Sequence, residues 1–301
     1  MTTSSELDAR DCVVVTGAST GIGAASAREL ARQGFHVLAG VRREQDAEAL
    51  RLPGIEPVIL DITRADHIAE LTARVNARTG ALRALVNNAG VSANAPVETL
   101  PLDEWRRLFE VNLFGHVAVT QALLPTLLRH SGRLINISSV GGKIAMGTFG
   151  PYGATKFALE AVSDALRREV APLGVKVVVV EPGGIRTKMA DRGIAVTNQL
   201  AKAMSPEHQD RYGPLVQAVT AQTAAFTTKG TSAEDAAQVI SKAVNARKPR
   251  TRYTIGRDAA LLTRLTRVLP DRMLDRLVAA GLRPYWPKTA APSLKQAADR
   301  A

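Results

Sequence analysis

The sequence predicts an α/β fold in which a doubly wound parallel sheet carries helices on both faces. Short apolar runs alternate with segments of helical periodicity over about 180 residues, which is the pattern of repeated βαβ units. The runs are apolar almost throughout rather than at every second residue, as expected for strands that are buried on both faces. A chain of 301 residues can also bury a core large enough to fold without disulfide or metal.

Each strand of the predicted sheet is a short apolar run, and most are followed by a helical segment. The strands are placed, in chain order, at residues 13–16, 36–40, 57–60, 84–87, 133–138, 175–181 and 252–255. The helices are placed at 22–33, 65–78, 103–129, 152–171 and 233–246. Pro125 lies inside the third helix and is expected to kink it or to end its regular hydrogen bonding.

The alternation of strands and helices is interrupted at residues 190–232, which are polar, helical in propensity and free of strand patterns. We interpret this segment as a substrate-covering insertion over the carboxyl ends of the strands, where such sheets bind ligands. No repeat or low-complexity linker divides the chain. We therefore predict one domain over 11–256, followed by a helical extension over 257–301.

The formal net charge of +11 lies mostly in the C-terminal part of the chain. Residues 247–301 contain 13 Lys/Arg and 4 Asp/Glu, so the rest of the chain is nearly neutral. Apolar residues recur at helical spacing over 258–269 and again after Pro270, with arginines beside them. Such a basic amphipathic pair either packs on the domain or contacts an anionic membrane surface. Nucleic acid is not an expected partner, because few aromatic residues accompany the charge.

Composition also excludes several classes of protein. Cys12 is the single cysteine, so no intrachain disulfide can form, and its apolar surroundings predict a buried, unreactive thiol. The five histidines are scattered without metal-ligand spacing, so no metal site is expected. The N-terminus lacks a signal-like apolar region, and no apolar run approaches the ~18–20 residues of a membrane span. We therefore expect a cytoplasmic protein, membrane-peripheral if the extension binds lipid.

A glycine-rich turn follows the first predicted strand and opens the first helix. Its sequence is Gly17-Ala18-Ser19-Thr20-Gly21-Ile22-Gly23. In a dinucleotide-binding turn, glycines allow the tight bend, the close approach of backbone N–H groups to the pyrophosphate, and close packing of helix on strand. The N-terminus of the helix then directs its partial positive charge at the phosphates. The strand before the turn and the helix after it are the context that this motif requires.

The G-x-x-x-G-x-G spacing and six further motifs together resemble the short-chain dehydrogenase/reductase family. The stretches at residues 34–39 and 110–115 look most like its retinol and hydroxysteroid dehydrogenase branch. The further motifs are Asp61, Asn87-Asn88-Ala89-Gly90, Asn112, Ser139, Tyr152-x-x-x-Lys156, and Pro182-Gly183 with Thr187. The resemblance covers residues 13–189 and implies a Rossmann-type fold, an NAD(P)-dependent oxidoreductase and a homodimer or homotetramer. From the loop and the resemblance together, we expect the cofactor to contact Gly17, Ser19, Thr20, Gly21, Ile22, Gly23, Arg42, Asp61, Ile62, Asn88, Ala89, Gly90, Tyr152, Lys156, Pro182, Gly183 and Thr187.

The predicted catalytic residues are Ser139, Tyr152, Lys156 and Asn112. Tyr152 and Lys156 are four residues apart on a predicted helix and so share one face, where an ammonium would lower the pKa of the phenol. The resemblance implies that Ser139 hydrogen-bonds the substrate oxygen, that Tyr152 transfers the proton, and that Lys156 binds the nicotinamide ribose. It also implies that Asn112 holds a water in the proton relay. Ser138, next to Ser139 on a strand, is expected to face away.

NADP(H) is favoured over NAD(H) by the residues that follow the second strand. Val41 occupies the position where a carboxylate would bind the ribose of NAD, and Arg42 follows with a guanidinium that can pair with a 2′-phosphate. Glu44 and Asp46 nearby, and the uncharged Thr20 in the loop, weigh against this preference. The resemblance further implies that Asp61 binds the adenine amino group, that Asn87 lines the adenine-ribose end, and that Thr187 contacts the carboxamide or a phosphate.

The predicted substrate wall is mainly apolar, which favours a lipophilic alcohol or ketone. It consists of Ile144, Met146, Phe149, Ala93-Asn94 and Met189, although the same residues could simply pack the insertion. The resemblance implies a steroid, retinoid or long-chain substrate. Two alternatives remain open: a 3-oxoacyl-thioester reductase, whose chain typically ends soon after the last strand, and a non-catalytic NADP-binding regulator.

Overall fold

A computed structural model describes residues 9–288, which are built around a seven-stranded parallel sheet. The strands are β1 (Cys12–Val15), β2 (His36–Val41), β3 (Ile55–Ile59), β4 (Leu82–Asn87), β5 (Arg133–Ile137), β6 (Lys176–Pro182) and β7 (Arg252–Ile255). Their order is β3-β2-β1-β4-β5-β6-β7. The direction of winding reverses between β1 and β4, where such sheets open a ligand crevice. Every predicted strand is confirmed, with ends that shift by at most two residues.

Eleven α-helices surround the sheet in the described part of the chain. They are α1 (Gly21–Arg32), α2 (Glu44–Glu48), α3 (Ala65–Asn76), α4 (Leu102–Phe109), α5 (Gly115–Arg129), α6 (Gly150–Val170), α7 (Lys188–Lys202), α8 (Pro206–Thr228), α9 (Ala233–Asn245), α10 (Arg257–Leu265) and α11 (Asp271–Leu282). All predicted helices are present. The short α2 was not predicted, because five residues are too few to show helical periodicity.

The strands are apolar throughout because both faces of the sheet are buried. Val13 and Val15 on β1 pack on the side covered by α1 and α9, whereas Val14 packs on the side covered by α3 and α5. Successive side chains of a strand point to opposite faces, so each face needs its own set of apolar residues. Cys12 lies in the second of these cores, where burial raises the pKa of its thiol to about 12.

The long third helix is irregular at a different place from the one predicted. Pro125 neither ends nor interrupts α5, which runs on to Arg129. The regular ladder instead changes at a π-helical turn, Glu110–Phe114, that joins α4 to α5 and contains Asn112. Such π-turns are common at functional sites.

The expectation that no segment is long and apolar enough for a membrane span was wrong. The continuous helix Leu102–Arg129 meets that test by length and composition, with a mean hydropathy of 1.4 in its most apolar window. Half of that window is buried inside the fold, and Leu123 and Leu127 are fully buried against the sheet. In this fold the segment is a core helix that covers one face of the sheet.

Residues 190–232 form most of α7 and α8, without a strand, as predicted. The extension packs on α8: Leu282 lies against Ala218 and Val219, and Gln222 Nε2 donates to the carbonyl of Gly281 at 2.8 Å. Packing on the fold, one of the two alternatives for the amphipathic helices, is therefore present. The residues beyond 288, which include the end of the predicted extension, lie outside the described part.

Candidate active site

The glycine turn between β1 and α1 has a geometry that side chains would prevent. Gly17 and Gly21 have φ of +65° and +56°, in the left-handed region that favours glycine. A Cβ on Gly17 would lie 2.6 Å from Ala89 Cα, and one on Gly23 would lie 2.3 Å from the Gly17 carbonyl oxygen. The N-cap residue of α1, Thr20, makes no side-chain cap. The first N–H groups of α1 therefore have no capping side chain at the loop, which suits an anionic ligand.

Side chains at the ends of β1 and β4 hold the two neighbouring loops together. Thr16 Oγ1 accepts from the backbone N–H groups of Asn88 and Ala89, both at 3.0 Å. Asn88 Nδ2 donates in return to the carbonyls of Thr16, at 2.9 Å, and Gly17, at 3.0 Å. The glycine turn is thereby positioned by the residues Asn88-Ala89-Gly90 that the sequence singled out.

A cavity of about 350 Å³, here called the loop cavity, opens beside the glycine turn. It brings together these residues predicted to bind the cofactor: Gly17, Ser19, Thr20, Gly21, Ile22, Arg42, Asp61, Ile62, Asn88, Ala89, Gly90 and Thr187. Gly23 lies behind the turn and not in the cavity wall, consistent with its packing role. Arg107 of α4 and Arg192 of α7 add two cations that the sequence did not reveal, because both come from helices remote in the chain.

The two arginines that follow β2 differ in whether a carboxylate already binds the guanidinium. Arg43 donates to both carboxylate oxygens of Asp46, at 2.7 and 2.9 Å, whereas Arg42 has no hydrogen bond or ion pair with any described residue. Asp61 Oδ1 accepts from the N–H and hydroxyl of Thr63, at 3.0 and 2.7 Å. Burial opposes ionisation of Asp61, but these hydrogen bonds and the nearby Arg42 lower its pKa overall. Arg42 is thus the guanidinium left available at the end of β2.

A second cavity of about 250 Å³, here called the tyrosine cavity, adjoins the first. The two share wall residues, among them Ile22, Asn88, Gly90, Thr187 and Met189. Ser139, Tyr152, Lys156, Pro182 and Gly183 all line the tyrosine cavity. The chain therefore brings the glycine turn and the predicted Ser-Tyr-Lys set to one continuous cleft at the carboxyl end of the sheet.

Burial raises the pKa of Tyr152, and a hydrogen bond with Ser139 opposes part of the increase. Lys156 Nζ lies 5.9 Å from the centre of the Tyr152 ring and donates to the carbonyl of Ile137 at 2.9 Å. Burial also lowers the pKa of Lys156, to about 8, with Glu160 opposing the decrease. The expected effect of the Lys156 ammonium on the pKa of the phenol stays a prediction.

Asn112 is fully buried, and its side chain braces a turn instead of lining either cavity. Its Oδ1 accepts from Val91 N–H at 2.9 Å, and its Nδ2 donates to the Val91 carbonyl at 2.9 Å and to Thr155 Oγ1 at 3.2 Å. Both amide hydrogens are thus used. The water-holding role of Asn112 stays a prediction.

Asn87 was wrongly placed at the adenine-ribose end. Its side chain is buried inside the fold, where Nδ2 donates to Thr120 Oγ1 at 2.9 Å and Asn136 Oδ1 at 3.1 Å, and it lines neither cavity. The alternation of side chains at the end of β4 explains the error, because Asn88 faces the cleft and its neighbour faces the core.

Most of the predicted substrate wall is present. Ile144, Met146, Phe149, Asn94 and Met189 line the tyrosine cavity. Ala93 does not, and packs instead in a separate apolar cluster with Leu100 and Leu108. The wall is completed by Val219 and Phe226 of α8 and by Leu262 of α10. The sequence did not reveal these three, since their helical spacing is equally typical of core packing.

Comparison with known proteins identifies relatives over most of the chain. A family model described as short chain dehydrogenase matches residues 11–195. The chain is 37% identical to mouse retinol dehydrogenase 5, over 88% of this chain and 87% of that protein. It is 36% identical to rat 17-beta-hydroxysteroid dehydrogenase type 6, over 90% and 88%. It is 33% identical to an NADPH-dependent 3-dehydrocapnine reductase of Ornithobacterium rhinotracheale, over 88% and 94%.

Solved structures show the same architecture. A short-chain dehydrogenase from Streptomyces avermitilis aligns with a TM-score of 0.71 and 32% identity, covering 92% of this chain and 96% of that one. A short chain dehydrogenase from Burkholderia cenocepacia, solved in complex with NADP, aligns with a TM-score of 0.68 and 25% identity, covering 89% and 96%. The doubly wound fold expected from the sequence is therefore confirmed.

Proposed function

The chain belongs to the short-chain dehydrogenase family and is an oxidoreductase, and on this premise we propose that it interconverts a lipophilic alcohol and its ketone or aldehyde with NADP(H). The observation that carries the proposal is the position of Ser139, Tyr152 and Lys156 on one apolar cavity, adjoining the cavity of the glycine turn. A substrate carbon bound in the tyrosine cavity can therefore lie between the Ser139 and Tyr152 hydroxyls and the cofactor site at the glycine turn.

The residues present fit a nicotinamide dinucleotide. The uncapped start of α1 and the crowded glycines leave room for a pyrophosphate but not for side chains. Asp61 would bind the adenine amino group, and Lys156, Pro182, Gly183 and Thr187 would hold the nicotinamide half. When bound, this group supplies or accepts the hydride.

The proton chemistry belongs to the chain's own side chains. Ser139 Oγ accepts from Gly141 N–H at 3.0 Å, which leaves its hydroxyl hydrogen for a substrate oxygen or for Tyr152. Tyr152 Oη gives its proton to the substrate oxygen in reduction and removes it in oxidation. Burial raises the pKa of Tyr152, which favours the protonated phenol that reduction requires. Lys156 holds its charge beside the ring.

NADP(H) is preferred in this proposal because Arg42 is unpaired in the described structure and Arg192 also lines the loop cavity. A doubly charged 2′-phosphate suits such a site better than a neutral hydroxyl. An NADPH-dependent relative and an NADP-bound structural neighbour agree with that preference.

The substrate class follows from the wall of the tyrosine cavity, which is mainly apolar along Ile144, Met146, Phe149, Val219 and Phe226. A steroid, retinoid or long-chain alcohol fits that chemistry better than a polar thioester carrier. Relatives named as retinol and hydroxysteroid dehydrogenases support the same class. No observation favours a regulator without catalytic activity, since the Ser-Tyr-Lys set is intact.

The decisive experiment replaces Tyr152 by Phe. Turnover of lipophilic ketones and aldehydes with NADPH should fall by about 10²–10⁴-fold, while NADPH binding survives, because only the proton donor is lost. Tyr212→Phe, at a half-buried position on α8 that lines neither cavity, is the matched control and should keep its activity. Near-normal turnover by the Tyr152 variant would overturn the proposed function.

We also propose a cytoplasmic homodimer or homotetramer that touches membranes peripherally. The π-turn exposes Phe114 and the outer face of α6 exposes Phe157 and Val162, which suits contact with a second copy. The outward faces of α10 and α11 and the segment between them expose Leu261, Val268, Met273 and Leu277. Arginines 264, 267, 272 and 276 accompany these side chains, a combination that favours an anionic lipid surface.

A further inference from the structure

A buried ion network lies directly behind Lys156. Glu160 follows Lys156 by one helical turn on α6 and is only 4% exposed. Its Oε2 lies 2.7 Å from Lys143 Nζ and 2.9 Å from Arg252 Nη2. Lys143 follows β5 and Arg252 begins β7, so three elements converge on this carboxylate. A buried carboxylate with two cationic partners is held in position by charge-assisted hydrogen bonds.

The same two cations also face a second buried carboxylate. Glu181 on β6 is fully buried, with Oε1 3.2 Å from Arg252 Nε and 3.8 Å from Lys143 Nζ. Burial and, after it, repulsion from Glu160 raise the pKa of Glu181, against the attraction of Lys143, Arg252 and Arg267. Asp164, one turn after Glu160, also pairs with Arg252 at 3.0 Å. The network thus places three carboxylates, Glu160, Glu181 and Asp164, against three cations, Lys143, Arg252 and Arg167. Glu160 is the carboxylate of this network that lies one helical turn from Lys156.

The surroundings of Lys156 contain little other charge. Within the described residues, the groups that face it are the Ile137 carbonyl, the Tyr152 phenol, His116 and, across the tyrosine cavity, Asp258. Complete burial lowers the pKa of His116 to about 3, so it is neutral. Asp258 is exposed at the far side. Glu160 is the carboxylate that counteracts the effect of burial on Lys156.

We propose that Glu160 is a positioning residue that acts through Lys156, by supplying from within α6 the counter-charge that keeps the buried ammonium charged and in place. Lys143 and Arg252 orient the carboxylate and limit how much of its charge reaches Lys156. The proposal rests on the proposed function, in which the charged form of Lys156 is the working form. The competing explanation is structural: Glu160 would only tie β7 to α6 through Arg252.

Titration separates the two explanations. The ammonium of Lys156 is lost as pH rises through its pKa of about 8, so reductase activity should have a descending limb there. In Glu160→Gln the counter-charge is gone, and the limb should move to lower pH by about one unit. The Cε resonance of Lys156 in ¹³C-lysine-labelled protein, measured without cofactor and assigned with Lys156→Arg, should move by the same amount.

Matched variants distinguish charge from architecture. Asp164→Asn also removes a carboxylate partner of Arg252, but two turns from Lys156, and should leave the titration of Lys156 in place. Glu160→Asp should restore part of the shift. Lys143→Met removes a competing cation and should move the limb to higher pH, which keeps the proposal testable if Glu160→Gln does not fold.

Equal Lys156 titrations in wild type and Glu160→Gln, or equal shifts in Glu160→Gln and Asp164→Asn, would overturn the inference. The proposed function would fail separately, through activity of Tyr152→Phe. An inactive Tyr152→Phe together with an unmoved Lys156 titration would reject the role of Glu160 alone.

Discussion

Replacing Arg42 by Ser should weaken binding of NADPH but not of NADH. Arg42 follows β2 at the edge of the loop cavity and has no partner among the described side chains, so it is available to a 2′-phosphate. A hydrogen bond to a charged group contributes about 1.5–3 kcal/mol. Because Arg42 is exposed to solvent, the lower end of that range applies, and about 1.5 kcal/mol corresponds to a loss of roughly tenfold in affinity.

The neighbouring arginine provides the control. Arg43 carries the same charge one residue later, but its guanidinium already binds both oxygens of Asp46. Arg43→Ser should therefore change NADPH affinity much less than Arg42→Ser. The two variants differ in the availability of the guanidinium and not in net charge.

Cofactor fluorescence titrations measure these affinities without knowledge of the substrate. NADPH and NADH should be titrated into each variant at low and at about 0.15 M salt, because a phosphate contact weakens as salt screens it. Equal losses for NADPH and NADH, or equal effects of the two arginine substitutions, would refute the assignment of Arg42 to the 2′-phosphate.

Two further predictions concern stability and location. His116 is buried, with Nδ1 unpaired and a pKa lowered from 6.5 to about 3, so the unfolded chain binds a proton that the folded one does not. The free energy of unfolding should therefore decrease as pH falls from 6.5 towards 3, and His116 should contribute up to about 1.4 kcal/mol per pH unit to that decrease. Urea unfolding of His116→Gln should lack this contribution. An identical pH dependence of the unfolding free energy in wild type and His116→Gln would contradict the prediction. Serine at Leu261, Val268, Met273 and Leu277 should reduce flotation with phosphatidylserine vesicles by about tenfold or more, whereas serine at the exposed Val97, Leu102 and Leu173 should not. Equal flotation of both variants, or no flotation of the wild type, would reject membrane contact.

Much of the fold could be predicted because each strand is marked by a short run of apolar residues in the sequence. Both faces of the sheet are buried, so Val13, Val14 and Val15 all had to be apolar, and no polar alternation obscured the pattern. The irregular turn of the long helix could not be predicted in the same way. Pro125 is a visible breaker yet lies where α5 tolerates it, whereas the π-turn at Glu110–Phe114 has no residue type that marks it.

The site residues could be predicted where a single sequence motif forms a whole loop. The cofactor turn could be recognised from Gly17, Gly21 and Gly23, because a side chain at these positions would be strained or would clash with its neighbours. Errors arose at Asn87 and Ala93, where neighbouring residues of a motif face opposite ways and only the packing shows which one meets the cleft.

The strands, the glycine turn and the helix face shared by Tyr152 and Lys156 could be predicted from the amino-acid sequence, because each is marked by residues close together in the chain. The packing of the elements, in contrast, sets which charged side chains meet. Arg192 reaches the loop cavity, and Arg252 reaches Glu160, across distances in sequence that no periodicity records. Long-range electrostatic contacts depend on how elements are packed, and so the ion network around Glu160 and the presence of Arg192 in the loop cavity became visible only in the folded chain.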